Sequence, residues 1–216
     1  MKNKIKKHPY LAGYALFLLV SILLASFSFA RDRIGRAMGS VVEQSCAVED
    51  FELFDLEPLG DGGYVSVHQD PRLVLAGYEG VLHRVDVVVS LSRNPGEFNL
   101  FYKLEPNMPE FSAHQRTWAR QVAPGHYVLD GPGKTVYGLR IDPGIFSGNV
   151  MYFESIVINP KLPLYSFFMP TVPWLLYLCV LPPLVVALIA YLLQVTRHLQ
   201  ALFHARTKRA EEQAGG

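Results

Sequence analysis

Two patterns divide the chain. From residue 51 to residue 164, short segments alternate apolar and polar positions with turn residues between them. On either side stands a long run without a single charge: "YLAGYALFLLVSILLASFSFA" (10–30) and "YSFFMPTVPWLLYLCVLPPLVVALIAYLLQVT" (165–196). A bilayer core takes about 20 apolar residues of helix, so each run predicts a transmembrane helix. The stretch 31–50 is small and polar, with Gly35, Gly39 and Ser40, and predicts a linker. Residues 1–9 and 197–216 form basic ends.

Within 51–164 the segments have strand length. In "HRVDVVVSL", Val85, Val87, Val89 and Leu91 fall on one face, and Arg84, Asp86 and Ser90 on the other. "FNLFYKL" alternates again, placing Phe98, Leu100, Tyr102 and Leu104 together. "GHYVLD", "TVYGLRID" and "NVMYFESIVIN" follow, while "LGDGG" and "SRNPGE" read as turns. Seven to nine such segments with no internal helix predict a mainly β domain, an antiparallel β-sandwich flanked by the two transmembrane α-helices.

Charge supplies an orientation. The region 31–164 holds 12 Lys and Arg against 17 Asp and Glu, whereas the two ends hold 8 against 2. Basic flanks stay on the cytoplasmic side, which puts both termini inside and the sandwich outside. Arg31, Arg33 and Arg36 oppose this assignment but are outnumbered. The first run also fits a cleaved signal peptide, with Ser28 and Ala30 at small-residue spacing. Its length and the bulky Phe27 and Phe29 favour a retained anchor.

Chemistry is sparse. Cys46 follows the first run and Cys179 lies inside the second, so the two cannot pair within the chain. His68, His83, His114 and His126 lack ligand spacing, one carboxylate in "LGDGG" is too few for calcium, and no nucleophile or phosphate-loop motif occurs. No metal, no cofactor and no catalysis are expected, and the near-neutral net charge gives no sign of nucleic acid. Sugar rings stack on aromatic faces while polar groups take their hydroxyls. That chemistry singles out Trp118 and Tyr102, with His114 and Arg116 on the adjacent irregular loop. In an ordinary sandwich Trp118 would instead be core.

"VYGLRIDPGIFSGNVMYFESIVIN" (136–159) predicts a hairpin around "PGIFSG", with Asp142 facing Asn149, Ile141 facing Val150 and Leu139 facing Tyr152. Arg140 and Asp142 then share the polar face as a brace for the loop. The competing reading makes them ligands. Gly144 and Gly148 supply unusual backbone angles at the loop ends.

These residues resemble the closing segments of jelly-roll, galactose-binding-like sandwiches. Similar Leu-Arg-(Leu/Ile)-Asp-Pro turns occur in β-sandwich modules of bacterial cell-surface glycosyltransferases and polysaccharide-biosynthesis membrane proteins. "VDVVVSL…GEFNLFYKL…FS" is similar to their earlier part. The resemblance implies a jelly-roll-like, carbohydrate-binding-like domain in the periplasm, held by a two-pass protein of the bacterial inner membrane. It implies a non-catalytic accessory subunit that assists a membrane glycosyltransferase or export complex in polysaccharide assembly. A glycan and a multi-pass membrane protein are the expected partners. The other reading is a sensory input module, because helix, outer domain, helix is also receptor topology. Pro182 and Pro183, mid-run, open the helical ladder and mark a helix that packs against a partner, the other reading being a locally kinked lone helix. Trp174, Tyr177 and Tyr191 suit interfacial belts, and Leu199, Leu202 and Phe203 line one side of the basic tail.

The topology has a direct test. Reporter fusions after Leu56 and after Gly216 are expected to show an exported and a cytoplasmic site respectively. Two exported sites would contradict it.

Overall fold

The computed structural model describes residues 8–169 and 172–214. Lys2, Lys4, Lys6, Lys7 and Pro170 lie outside these residues, as do the side chains of Pro173, of Phe203 and of the basic residues after it. The chain divides into two compact units, Met1–Ala30 with Pro163–Gly216, and Arg31–Leu162.

The first unit is helical. It takes most of α1 (Pro9–Ala37), then α2 (Leu164–Phe168) and α3 (Val172–Ala214). Pro9–Ala37 and Trp174–Leu202 are long and apolar enough to cross a membrane. The second apolar run therefore does not form one helix from its first residue. A short helix precedes the long one, which is continuous through Pro182 and Pro183 and extends to Ala214.

The second unit is β-rich and has two antiparallel sheets. The seven-stranded sheet contains β1 (Gln44–Cys46), β3 (Leu56–Pro58), β4 (Tyr64–Ser66), β6 (Gly80–Leu91), β9 (Arg120–Ala123), β10 (His126–Val136) and β12 (Val150–Ile158). Its order is β3-β4-β12-β6-β10-β9, with β1 also on β12. The five-stranded sheet contains β2 (Glu52–Phe54), β5 (Arg72–Leu75), β7 (Asn99–Tyr102), β8 (Arg116–Trp118) and β11 (Leu139–Asp142), in the order β2-β5-β11-β7-β8.

Alternation explains the packing. Val85, Val87 and Val89 of β6 are at most 1% exposed, and they share one core with Leu73, Leu100, Leu139 and Ile141 of the other sheet. Each such side chain contributes about 1.5–3 kcal/mol by leaving water. Arg84 and Asp86 point the other way and pair with each other, with His126 Nε2 3.2 Å from Asp86.

Two expectations about connectivity fail. The residues 139–159 do not form a hairpin: β11 pairs with β5 and β7, whereas β12 pairs with β6, β4 and β1. Leu139 and Ile141 meet Met151, Ile156 and Ile158 across the core, not within a sheet. Either arrangement hides both apolar faces, so periodicity alone cannot choose between them. The connection is fixed by Ser66, whose amide donates to Asn149 O at 3.1 Å and whose Oγ accepts from Asn149 N at 2.9 Å. Likewise "TVYGLRID" is not one strand. Its first part ends β10, and the chain changes sheet at Gly138, where φ is +125° and a side chain would be strained.

The expected linker 31–50 is also part of the folded unit. Residues 31–37 continue α1, and Gln44–Cys46 pairs with Ile156–Ile158 of β12. Asp32 is buried and accepts from Arg36 Nε at 2.9 Å. Arg36 Nη2 donates to the carbonyls of Asn159 (3.0 Å) and Pro160 (2.9 Å), so the entry and exit of the unit are tied together. Burial lowers the pKa of His83, whose Nδ1 lies 3.8 Å from Asp32. Asn159 completes the joint in a left-handed conformation (φ +51°). Its Oδ1 accepts from His83 N at 2.7 Å and its Nδ2 donates to Val81 O at 2.7 Å and Val42 O at 3.3 Å.

Asn159→Ala removes these bonds and leaves a Cβ in the left-handed region, a loss of about 3 kcal/mol. Asn159→Gly removes the same bonds without the strain and is expected to cost about 1 kcal/mol less. Denaturant unfolding of the two variants measures the difference. Equal losses would mean that backbone conformation has no part in it.

Candidate functional site

Pairing in the five-stranded sheet sorts its residues into two faces. Leu53, Leu73, Ile141, Leu100 and Thr117 align on the core side. The outer side then receives Arg140 opposite Phe101, Phe101 opposite Arg116, Asp142 opposite Asn99 and Asn99 opposite Trp118. Sequence-distant charges and aromatics are thereby brought into adjacent rows.

One end of this face is a charged ladder. Arg140 donates through Nε and Nη2 to the two oxygens of Asp142, both at 2.6 Å, and through Nη2 to Asp70 at 3.0 Å. Arg72 also holds Asp70, with Nε at 2.8 Å. The Arg72 hydrogen bond lowers the pKa of Asp70, the largest of its influences. Burial raises the pKa of Asp142, and the two bonds from Arg140 oppose that rise. The guanidinium of Arg140 lies 4.8 Å from the centre of the Phe101 ring. Through Nε and Nη2, Arg140 thus ties Asp142 of its own strand to Asp70, just ahead of β5.

Gly144 and Gly148 lie in the connection that follows. Gly148 has φ +69°. Gly144 does not take a positive φ, contrary to expectation; its constraint is space, since a Cβ there would lie 3.3 Å from Pro95 O.

The other end of the face is open. Trp118 is 53% exposed and is not a core residue. Arg116 lies with its guanidinium 4.4 Å from the indole centre and 5.8 Å from that of Phe101. Cation–π stacking of this kind holds both side chains without burying them. Trp118 borders a cleft of about 630 Å³, lined also by Glu97, Gln121, Gly125, Tyr127 and Glu154. Glu97 accepts from Asn99 Nδ2 at 3.2 Å and stands 3.9 Å from Arg116 Nη1. Beneath the cleft Phe98 and Tyr127 stack at 4.4 Å. Asn99 Oδ1 is buried with no donor among the described residues.

Of the residues singled out by sequence, Trp118 and Arg116 are brought together. Tyr102 is not, because it pairs with Leu139 and packs against the core. His114 is exposed in the loop before β8, where its amide donates to Ser112 Oγ at 3.3 Å. Pro182 and Pro183 lie in α3, in the other unit. Sequence reasoning missed Glu97, Gln121 and Glu154. Glu154 is the extra residue of a β-bulge, since Phe153 pairs with Val89 and Ser155 with Val88. A bulge turns a side chain out of the regular alternation, and nothing in "YFESIV" announces it.

The arrangement offers a half-exposed indole stacked with a guanidinium and, along the adjoining cleft, carboxylate and amide groups. That set can hold a ring with one apolar face and hydroxyls at its edge. No group of three or more His, Cys, Asp or Glu able to hold a metal occurs among the described residues.

No family model matches the chain, and none of the curated proteins matches it. Among solved structures, a low-affinity xylan-binding module from Roseburia intestinalis is similar at 13% identity and a TM-score of 0.38, over 56% of this chain and 96% of that one. A family two carbohydrate esterase from Cellvibrio japonicus is similar at 11% identity and a TM-score of 0.37, over 56% of this chain and 35% of that one. A module from Clostridium stercorarium, solved with cellobiose, is similar at 11% identity and a TM-score of 0.30, over 56% of this chain and 95% of that one. Likeness this distant carries no function across.

Asp142→Ala leaves Arg140 with Asp70 alone and is expected to destabilise the sandwich by about 1–3 kcal/mol. Glycan binding, if the domain has any, should fall only in step with that loss, measured by thermal unfolding beside binding. Unchanged stability with binding abolished would make the ladder a ligand site.

Proposed function

We propose that the sandwich is a carbohydrate-recognition module and that the chain is a non-catalytic accessory protein of cell-surface polysaccharide assembly. The observation that carries this reading is Trp118, more than half exposed, stacked with Arg116 and lining the cleft. An exposed tryptophan held rigid costs little entropy when a sugar covers it, and its face suits the C–H side of a pyranose. Glu97, Gln121 and Glu154 would accept or donate at the hydroxyl edge.

The finer parts of the reading extend from this. The sandwich is assigned to the jelly-roll, galactose-binding-like kind and to the periplasm. The helices are assigned to the bacterial inner membrane as two passes, with both termini cytoplasmic. The glycan is offered to a multi-pass glycosyltransferase or export protein, reached through the lipid-facing sides of the helices and the basic tail. The sensory alternative draws on one observation, that the last turns of α1 are bonded into the sandwich through Arg36 and Asn159.

Trp118→Ala is expected to weaken glycan binding about tenfold or more, equivalent to about 1.4 kcal/mol, while changing the unfolding midpoint little. Titration of the full chain against a panel of surface-polysaccharide oligosaccharides measures the first and thermal unfolding the second. Wild-type affinity in the folded variant would remove Trp118 from the site.

A further inference from the structure

Proline has no N–H, so Pro183 leaves the carbonyl of Cys179 without its helical donor. That carbonyl is nevertheless bonded. The hydroxyl of Tyr14, on α1, donates to Cys179 O at 3.0 Å. Beside Tyr14 is Gly13. A Cβ built on it would stand 2.6 Å from Val186 Cγ2 and 3.7 Å from Pro182 O, so a larger residue there would have to displace the Val186 side chain. Farther along, Phe29 and Phe167 meet edge to face with centroids 5.5 Å apart. All these residues belong to one compact unit.

The chemistry of the two faces is complementary. In hydrocarbon no water replaces a missing helical donor, and an open carbonyl must find one on a neighbouring helix. Close approach of helices there depends on small residues at the crossing. Tyr14 supplies the donor and Gly13 the space. We infer that the Pro182–Pro183 face of α3 is a docking surface whose occupant is α1 of the same chain, with Tyr14 replacing the hydrogen bond that Pro183 withholds.

Two consequences follow. The N-terminal helix is an integral half of the membrane unit and is retained in the mature protein, not removed as a signal peptide. The proline pair, already covered, is not the surface that receives an outside partner. Neither consequence depends on what the sandwich binds.

The test uses the full chain in membranes, with Cys46→Ser and Cys179→Ser, a protease site inserted in the exposed loop after Pro106, and the pair Gly13→Cys with Val186→Cys. After oxidation and cleavage, the two halves are expected to migrate together until reduced. The pair Leu11→Cys with Val186→Cys, which starts from an outward-facing side of α1, is expected to leave them separate. Equal cross-linking of both pairs, a cross-link joining differently tagged copies, or a mature chain that starts at Arg31 would each overturn the inference. A second readout isolates the hydrogen bond. Tyr14→Phe should lower the thermal midpoint of the solubilised protein by a few degrees, but be silent in a Pro183→Leu background, where residue 183 supplies its own N–H. An equal shift in both backgrounds would overturn the role given to Tyr14.

Discussion

Leu100 and Ile141 lie side by side in the five-stranded sheet, both buried in the shared core, and the outside of that sheet follows from this register. Side chains alternate strictly along a strand. Once Leu100 and Ile141 face inward, Asn99 and Phe101 must face outward with Arg140 and Asp142, and β8 must present Arg116 and Trp118 beside them. A slip of one residue would bury four charges or amides and expose the core. The hydrophobic requirement of the core thus dictates where the polar and aromatic groups of the surface stand. The face is also braced by contacts of its own. Its inner rows are held by carboxylate–guanidinium bonds and its open end by the stacking of Arg116 on Trp118.

The strands were largely readable from sequence, because alternation is a local property. Val85, Val87 and Val89 declared the inner side of β6, and Leu139 and Ile141 that of β11. The partners were not readable. An apolar face is equally content beside another in one sheet or opposite it across a core, so the change of sheet between Asp142 and Val150 left no mark in the pattern. Arg31 to Ala37 looked like a linker because small and charged residues are common in linkers. The i, i+4 spacing of Asp32 and Arg36 was the available sign of helix. The role of Asn159, bonded to residues about eighty and more than a hundred positions away, had no local signal.

The site shows the same division. Residue type singled out Trp118 and Arg116, since exposed aromatics and guanidinium groups are what a sugar face would need. The same reasoning chose Tyr102, which the pleat sends to the core, and passed over Glu97 and Glu154. Their position depends on a turn and on a bulge, features of backbone geometry that composition does not encode. The charged pair that stands out in the sequence, Arg140 and Asp142, is bonded to itself and to Asp70.

The central claim is that the cleft beside Trp118 receives a glycan. Trp118 and Trp174 are the two tryptophans of the chain, so the Trp174→Phe protein reports Trp118 fluorescence alone. In the folded full-length protein, a sugar stacked on the indole should shift and quench that emission saturably with oligosaccharide concentration. Emission that stays constant across a panel of neutral, amino and acidic oligosaccharides, with the protein still folded, would contradict the account.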